Sequence, residues 1–544
     1  MVTRVFILLC CACSFAHGSD PYPRNRNIDV LHYTFRLELN DTTDVINGNS
    51  DVTVRFREQS DRFTLNLIDK QADGTGMRVF GITQSGKPVL FIHAGDRLEI
   101  HLATPSLPGD TLTYSISYNG IPKDGLVISK NKFGDRTFFG DNWPDRGRHW
   151  LPAVDHPYDK AKVDFIITAP RHYKIIATGE LVGERDRPRN QKESHWREHV
   201  DVPVKVMTIG VARFSVKQSG MVGNIPITTW VFPQNEEKGF SDFAVAPGIL
   251  DFMQNYIGPF PYEKLAHVQS KTRWGGLENA SNIFYFENSV TGKNEREGLI
   301  AHETAHQWFG NTVSEDDWHH VWLSEGFATY FDALYMGSKY GEERMQSEMG
   351  ENRKAVIEYT KKNKAQIIDT TIRDIGKVLN TSTYQKAAWV LHMLRIKIGE
   401  ASFQAGIRDY YATYRNSNAM TADFIKVMER ASQQELDDFF GAWLLQPGHP
   451  RISATWTYDK KAKSVKIQLS EAGFKVPPGT SIDIGTVSQD GTVTVTAYKL
   501  DERPGGAISI PAGQKPSRLI LDPEVHLLFE GEITPASPAD REKR

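Results

Sequence analysis

Two histidines four residues apart on a predicted helix constrain the fold of this chain more than any other feature. His302 and His306 flank Glu303 in the pattern H-E-x-x-H. Residues at this spacing lie on one face of an α-helix, so both imidazoles can bind a single metal ion while Glu303 lies beside them. Zinc suits such ligands, and a catalytic zinc ion has three protein ligands and one open position. The pattern therefore predicts a zinc site that needs a third ligand.

The third ligand is predicted to be Glu325, at the start of a second apolar, helical run. Eighteen residues separate it from His306, which is enough to end one helix, turn and bring a second helix alongside. Ser324 is expected to cap the second helix at its N-terminus. His302, His306 and Glu325 would then hold one zinc ion.

Five more residues that could bind metal lie between the two halves of this predicted site. They are Glu315, Asp316, Asp317, His319 and His320. No helical register directs them toward the two histidines, so we interpret them as a solvated loop.

Glu303 is predicted to act as general base and then general acid. A zinc ion lowers the pKa of water, and Glu303 would take the released proton and pass it to the leaving amine. The oxyanion that forms needs a second stabiliser, which a Tyr hydroxyl could supply. This chemistry points to hydrolysis of peptide bonds, but it does not distinguish an exopeptidase from an endopeptidase.

The composition is that of an ordinary soluble protein and excludes some partners. Apolar residues make up 40% and charged residues 24% of the 544 residues, and two to four domains are expected. The net charge of −3 gives no electrostatic footprint for nucleic acid or an anionic membrane. No stretch after the N-terminus is long and apolar enough to predict an integral membrane segment.

Residues 1–18 have the pattern of a secretory signal peptide. Arg4 precedes the apolar run Val5 to Ala12, and small residues follow, with cleavage expected after Ala16 or Gly18. All three cysteines fall inside this segment, at Cys10, Cys11 and Cys13. The mature protein would have no disulfide, although lipidation at Cys13 stays open. We expect export to the periplasm or the extracellular space.

The hydrophobic pattern predicts a multidomain α+β protein. Alternating apolar and polar residues predict an N-terminal β domain over residues 19–236. A mostly helical catalytic domain follows over 237–448, with a short β interlude from Lys264 to Phe286. A small C-terminal β-sandwich covers 449–533, and the tail 534–544 is expected to be disordered. The predicted helices are Phe240–Tyr256, Glu295–Gly310, Ser324–Tyr340, Gly341–Thr360, Thr383–Ile398, Ala401–Tyr414, Thr421–Ser432 and Glu435–Leu445.

Two segments outside the zinc pattern could contact a substrate. Phe138 to Pro157 is dense in Trp, Pro and charge, which predicts a rigid irregular loop; it could form a wall of the substrate cleft or pack between domains. In the second segment, Gly275 and Gly276 allow close backbone approach, and Glu278 could bind an ammonium group. By itself this second segment is also compatible with a plain turn.

These motifs together resemble the aminopeptidase N type of zinc metallopeptidase, a gluzincin family that includes leukotriene hydrolases. The family has a G-x-M-E-N motif shortly before H-E-x-x-H and a zinc glutamate after eighteen further residues. This chain has the same order, with Leu277 at the usual methionine of Gly275-Gly276-Leu277-Glu278-Asn279. The resemblance implies a thermolysin-like catalytic domain and a substrate-binding role for this motif, in which Glu278 binds the free α-amine. It also implies that Tyr384 stabilises the oxyanion.

The resemblance extends to an R-x-x-x-P-x-x-D-x-P segment within Arg148 to Lys160, with two departures from the family. Where relatives often have Gln or Glu as a second amine anchor, this chain has Trp143, and Asp141 is the nearest carboxylate before it. Both residues are therefore candidate substrate contacts. Many members also carry a large C-terminal helical domain that covers the cleft; this chain is expected to lack one, so a more open site or cover from a second subunit is expected.

We therefore predict an exported zinc aminopeptidase that acts on peptides with a free N-terminus. Two alternatives stay open: a thermolysin-like endopeptidase, which needs no amine anchor, and a catalytically silent peptide-binding relative. Leukotriene hydrolysis is possible by family, but no residue pattern here supports it. The sequence leaves the oligomeric state and the preferred N-terminal residue undetermined.

Overall fold

The computed structural model describes residues 20–500 and 507–536. The predicted signal peptide, its three cysteines and residues 537–544 of the predicted tail lie outside the described residues. Within them, the predicted order of a β domain, a helical domain and a second β domain is confirmed. No helix in the described ranges is long and apolar enough to cross a membrane.

The N-terminal part, from residue 20 where the description begins, consists of fifteen strands in three sheets. Its strands are β1 Ile28–Glu38, β2 Ile46–Phe56, β3 Ser60–Asn66, β4 Gly76–Gln84, β5 Lys87–Pro88, β6 Phe91–Ala94, β7 Arg97–Ser106, β8 Thr111–Ile121, β9 Leu126–Lys130, β10 Arg136–Gly140, β11 Ala161–Pro170, β12 Lys174–Ala177, β13 Glu180–Arg187, β14 Gln191–Val202 and β15 Ile209–Ala212. The orders are β13-β14-β11-β1-β2-β8-β4-β5, β12-β15-β10-β9 and β3-β7-β6. In β1, Tyr33, Phe35 and Leu37 are buried while the residues between them are partly exposed. This alternation makes one face of the large sheet a core face.

The central part, which the structure describes without a gap, combines a five-stranded sheet with nine helices. The sheet has the order β16-β17-β18-β20-β19, with β16 Ser215–Val222, β17 Ile225–Val231, β18 Leu265–Ser270, β19 Gly276–Leu277 and β20 Asn282–Phe286; β21 Val313–Glu315 pairs with β22 Ser417–Ala419. The helices are α1 Glu236–Asp242, α2 Ala246–Tyr256, α3 Glu297–Ala305, α4 Trp322–Tyr340, α5 Glu342–Lys362, α6 Ala387–Ile398, α7 Glu400–Tyr414, α8 Thr421–Ser432 and α9 Asp437–Leu445. Seven predicted helices are found within a few residues of their predicted bounds. The eighth, Phe240–Tyr256, is divided between α1 and α2, and Pro247 lies in the first turn of α2, where proline is tolerated.

The central sheet crosses the domain boundary that the sequence predicts at residue 236. β17 pairs in parallel with β18, so β16 and β17 belong with the catalytic part. Strand alternation is a local property, whereas the choice of partner strand depends on residues far along the chain.

The C-terminal part has two sheets across its described residues, as expected for a sandwich. The orders are β27-β24-β23-β29 and β26-β25-β28, with β23 Pro450–Asp459, β24 Ser464–Gly473, β25 Ser481–Val487, β26 Val493–Lys499, β27 Ala507–Pro511, β28 Arg518–Leu521 and β29 Ile533–Pro535. Strand β29 extends into the first residues of the predicted tail.

Two lysines join the N-terminal part to the catalytic part, Lys205 being buried and Lys160 partly buried. Lys160 Nζ donates to the carbonyl oxygens of Asn311 at 3.1 Å, Thr312 at 2.7 Å and Ser417 at 3.0 Å. Lys205 forms an ion pair with Glu315, and both side chains are almost fully buried. A buried charge is stable only when it is paired and hydrogen-bonded, so these contacts hold the two parts in one arrangement.

The prediction of a solvated loop at residues 315–320 is wrong. Only Asp316 keeps a partly exposed side chain, whereas the other four candidates are buried: Glu315, Asp317, His319 and His320. Each buried residue has a polar partner, such as Lys205 for Glu315, Arg24 for Asp317 and the carbonyl of Ile372 for His319. The sequence pattern could not indicate this burial, because those partners are distant in the chain.

Candidate active site

Helices α3 and α4 bring the three predicted metal ligands together. The Nε2 atoms of His302 and His306 are 3.1 Å apart, and Glu325 Oε2 lies 3.6 Å from the first and 3.3 Å from the second. Three ligand atoms at about 2.0–2.2 Å from a tetrahedral zinc ion would lie about 3.3–3.6 Å from one another. The spacing and the two-nitrogen, one-oxygen donor set therefore fit zinc.

The backbone orients His306 as a metal ligand. Its Nδ1 lies 3.1 Å from the carbonyl oxygen of Phe309, which can only accept a hydrogen bond. Nδ1 therefore carries a proton, and Nε2 is the nitrogen that faces the metal-binding group. Ser324 Oγ also contacts this Nδ1, at 3.0 Å. The prediction that Ser324 is the N-cap is wrong, because α4 begins two residues earlier and Val321 is at the cap position.

The electrostatics of this group favour a cation between the two rings. Burial would raise the pKa of Glu325, but the charge of His306 and hydrogen bonds from both histidines lower it well below its usual value. Burial would likewise lower the pKa of His306, but Glu325 beside it raises that pKa to about 9. Glu325 is therefore ionised, as a metal ligand must be.

A cavity of about 390 Å³ opens beside these ligands, and several parts of the fold line it. The G-G-L-E-N segment, the π-helical turn Ser382–Lys386 and helices α3, α4 and α5 all contribute. Trp143 reaches the cavity from the N-terminal part. The cavity therefore joins the metal-binding group to most of the other predicted site residues.

Glu278 presents an unsatisfied carboxylate to this cavity. The residue is only 6% exposed, and its Oε1 has no hydrogen-bond partner among the described residues. Its backbone carbonyl accepts hydrogen bonds from Asn311 at 2.6 Å and Gln307 at 3.1 Å, which fixes the segment against the end of α3. A buried carboxylate oxygen without a partner is costly, so this position favours a ligand that donates hydrogen bonds.

The neighbouring motif residues differ in their surroundings. A Cβ on Gly276 would lie 2.1 Å from Glu303 Oε1 and would displace that carboxylate, whereas a Cβ on Gly275 would meet only Leu299, at 4.0 Å. Leu277 is buried and lines the cavity. Asn279 is buried outside the cavity lining, and its side-chain amide has no partner among the described residues.

Glu303 and Tyr384 lie beside the metal-binding group. Burial and the nearby carboxylates of Glu278 and Glu325 raise the pKa of Glu303 well above its usual range, although His306 acts in the opposite direction. The ring of Tyr384 stacks on that of His302, with 6.1 Å between centroids. Burial, followed by the same carboxylates, raises the pKa of Tyr384, so its hydroxyl keeps its proton. Tyr384 lies in a π-helical turn before α6, a feature often found at functional sites.

Trp143 and Asp141, the two candidate substrate contacts in the irregular loop, have different positions in the structure. Trp143 lines the cavity and packs edge-on against Trp318, at 5.4 Å between centroids. Asp141 is fully buried away from the cavity lining, where it forms an ion pair with Arg146. It is therefore not placed to contact a substrate, because its carboxylate already has a cation. The loop therefore contributes one residue, Trp143, to a wall of the cavity, while others such as Asp141 pack inside the protein.

Several cavity residues have no counterpart among the predicted site residues. They are Trp274, Leu299, Thr329, Asp332, Ala333, Glu348, Asn352, Leu379 and Gln385. Thr329 and Asp332 follow Glu325 at helical spacing on one face of α4, a signal that could have identified them. Glu348 and Asn352 lie on α5, and no local pattern indicates that α5 reaches the site.

Comparisons with known proteins agree with this architecture. Residues 30–204 match a model described as "Peptidase M1 N-terminal domain", and residues 242–443 match one described as "Peptidase family M1 domain". A glutamyl aminopeptidase from Rattus norvegicus is 25% identical over 67% of this chain and 40% of its own length. Aminopeptidase M1-C from Oryza sativa subsp. japonica is 25% identical over 81% of this chain and 52% of its own length. This chain thus spans about half or less of these curated relatives.

Solved structures have a similar fold over most of the chain. The crystal structure of an M1 zinc metallopeptidase from Deinococcus radiodurans matches with a TM-score of 0.66 and 25% identity, and it covers 77% of this chain and 94% of that one. A crystal structure of a point mutant of an M1 zinc metallopeptidase from the same organism matches with a TM-score of 0.68 and 24% identity, over 78% of this chain and 96% of that one.

Proposed function

Because this chain belongs to peptidase family M1, we propose that it is a zinc-dependent aminopeptidase that hydrolyses the first peptide bond of peptides with a free N-terminus. The observation that carries the proposal is the unpartnered Oε1 of Glu278 in the cavity of the metal-binding group. An α-ammonium group would supply the missing charge-assisted hydrogen bond. An interior peptide segment has only neutral amides to offer, so this carboxylate favours chain ends.

The metal-binding residues provide the first part of the mechanism. His302, His306 and Glu325 would hold one zinc ion, which when bound supplies Lewis acidity that lowers the pKa of water and polarises the scissile carbonyl group. Glu303 lies beside this group and would take a proton from the attacking water. It would then return that proton to the leaving amine, so the carboxylate is regenerated in each cycle.

Two further groups would position the substrate and stabilise developing charge. The Tyr384 hydroxyl would donate a hydrogen bond to the carbonyl oxygen as it becomes negative. Gly276 leaves room for Glu303, and the lack of a side chain at Gly275 would allow the substrate backbone to approach the edge of β19. With its amine on Glu278, the substrate would have its first peptide bond beside Glu303.

The two alternative functions are less well supported. A thermolysin-like endopeptidase would use the same metal-binding residues but would have no role for the unpartnered Glu278 carboxylate. A catalytically silent peptide-binding protein would not need Glu303 and Tyr384 beside the metal-binding group. Both residues are present there.

Glu278→Ala tests the proposal on two substrates. Loss of a buried charge partner costs about 2–5 kcal/mol, so we expect kcat/KM on a free tripeptide to fall by about a hundredfold. The same peptide with an acetylated N-terminus should be a poor substrate of both proteins and should show little change. Zinc content is measured in parallel, and Glu295→Ala, which replaces an exposed glutamate, is the control. Equal losses on free and acetylated peptides would reject Glu278 as the amine anchor.

We also propose that the protein is exported to the periplasm or the extracellular space. Arg4 and the apolar run that follows it support this location. Mass spectrometry of the mature N-terminus should find His17 or Ser19 as the first residue. An intact N-terminus on the active protein in its native cells would contradict export by cleavage.

A further inference from the structure

Two carboxylates that the proposed mechanism does not use lie in the wall of the active-site cavity. Asp332 on α4 and Glu348 on α5 both line it. Together with Glu278, Glu303 and Glu325 they give the lining five carboxylates. The described lining residues include no Lys or Arg. A cavity with this balance attracts positively charged ligands.

Asp332 is partly buried, and one oxygen of its carboxylate is fully buried without a partner. Its Oδ1 is buried without a hydrogen bond, and the residue forms no ion pair within the described ranges. The carboxylate lies against the first turn of α3, where a Cβ on Gly298 would be 3.0 Å from Oδ1. Burial, and then the negative charge of Glu348, raise the pKa of Asp332, while Arg344 acts in the opposite direction. A bound cation would remove this unfavourable burial.

Glu348 adds a second charge that is only partly compensated. It forms an ion pair of 2.5 Å with Arg344, one turn earlier on α5, but the Arg344 side chain is 46% exposed. An ion pair with so exposed a partner is weak. Asn352, one turn later on the same face, adds an amide to the cavity lining. This pair of acids can therefore accept a cation together with hydrogen bonds.

The order of elements across the site places this acidic wall opposite Glu278. Strand β19 packs on α3, α3 packs on α4, and α4 packs on α5. The metal-binding group lies on α3 and α4, between Glu278 on one side and the two acids on the other. In the proposed binding mode, a peptide with its amine on Glu278 and its first peptide bond at the metal-binding group would continue toward α4 and α5. The side chain of the residue after the cleaved bond would then face Asp332.

On the basis of the proposed aminopeptidase function, we propose that Asp332 and Glu348 form a subsite for a cationic side chain at the second residue of the substrate. The preferred substrates would be peptides with Lys or Arg immediately after the cleaved bond. The long aliphatic part of such a side chain can pack along the cavity wall while its charge reaches the two carboxylates.

Matched tripeptides test this subsite by hydrolysis. Ala-Lys-Ala is compared with Ala-norleucine-Ala, which has a similar side-chain length and no charge. We expect kcat/KM of the zinc-loaded protein to be about tenfold higher for the lysine peptide, as one favourable charge pair would give. Asp332→Asn should remove most of this preference and leave the norleucine peptide nearly unchanged. Glu348→Gln should reduce it by a smaller factor, and Glu342→Gln, at an exposed position of α5, should leave it intact.

Binding provides a second readout that does not depend on turnover. Calorimetric titration of zinc-loaded Glu303→Ala protein with the two peptides should show the same preference for lysine, and its loss on adding Asp332→Asn or Glu348→Gln. Equal binding of both peptides, or a preference that survives both substitutions, would overturn the subsite. Hydrolysis of the norleucine peptide without a lysine preference would overturn the subsite alone. Failure to hydrolyse any peptide would reject the aminopeptidase function, while the titration would still decide the subsite.

Discussion

At the scale of single residues, the site depends on carboxylates that do different work within one cavity. Glu325 is ionised between two histidines, Glu278 has an oxygen without a partner, and Glu303 has a strongly raised pKa. The residue type is the same, but the neighbours are not. Burial, nearby cations and nearby carboxylates therefore distinguish the three glutamates, for which we propose metal binding, amine binding and proton transfer.

Replacing Glu303 with Ala should separate metal binding from proton transfer. Loss of a general base costs about 10²–10⁴-fold in rate, so kcat should fall by at least this factor. The zinc content should stay close to one ion per chain, because Glu303 is not among the three residues grouped as metal ligands. Metal analysis and steady-state kinetics on one preparation check both outcomes. A near-normal rate in the zinc-loaded variant would contradict the assigned role.

The site residues that could be predicted are those whose role follows from their spacing to near neighbours in the sequence. The spacing of His302, Glu303 and His306 is set by helix geometry, so it predicts a shared site without knowledge of the fold. Tyr384 was identified only through family resemblance, because one tyrosine at a helix start is usually structural. Asp332 was missed, since its proposed role depends on the packing of α5 beside α4, which is not visible in the neighbouring sequence.

At the scale of elements, the turn between α3 and α4 determines the metal-site geometry. Gly310 has a φ of +108°, which disfavours residues with a Cβ. A Cβ there would lie 2.1 Å from Ser324 Oγ and 3.4 Å from His306 Nδ1. The turn thus positions the hydroxyl and the carbonyl that orient the second zinc histidine.

Gly310→Ala should therefore weaken zinc binding as well as stability. The added methyl group must displace Ser324, and disturbing the groups behind a zinc ligand typically costs about 10–100-fold in metal affinity. Gly341→Ala is the matched control, because Gly341 also has a positive φ, +94°, but has nothing within 4 Å of the added atom. Competition with a chromophoric chelator measures zinc affinity. Equal zinc affinities in the two variants would contradict the role of Ser324, because the two glycines then differ in no way that affects the metal site.

Helix positions were predictable because the apolar spacing and the end signals are local. The bounds of α8, Thr421–Ser432, agree with the prediction at both ends. The predicted N-terminus of α4 lies two residues too late in the chain. Serine is a residue type that often caps helices, but the hydroxyl of Ser324 contacts His306 instead. A residue that can cap a helix can also support a metal ligand, and only the neighbouring helix shows which role it has.

At the scale of the whole molecule, stability should depend on pH through Asp164 in the N-terminal sheet. Burial would raise the pKa of Asp164, but hydrogen bonds from His32, His195 and Arg197 lower it from 3.8 to about 2. The folded protein therefore binds this proton less readily than the unfolded chain. The stabilisation is present above about pH 4 and is lost as the pH falls toward about 2.

Denaturant unfolding of wild type and Asp164→Asn between pH 2 and 5 tests this dependence. The difference in free energy of unfolding should be largest near the top of this range and should shrink as the pH falls. Asp186→Asn, at an exposed position of β13, provides the control. A wild-type advantage that is constant over the range would exclude Asp164 as the titrating group.

The order of the three parts was predictable from strand and helix patterns, but their contacts were not. The pairing of β17 with β18 and the burial of residues 315–320 both depend on partners far along the chain. Lys160 and Lys205 look like ordinary surface lysines in the sequence. Only the folded chain shows that they lie at a domain interface.

Those two lysines also help to hold one wall of the active-site cavity in place. Trp143 belongs to the N-terminal part, yet it borders the cavity formed by the helices of the catalytic part. A rotation of one part against the other would pull Lys160 from three carbonyl oxygens and Lys205 from its buried ion-pair partner. The wall that Trp143 forms therefore cannot move away from the metal-binding group without breaking these contacts.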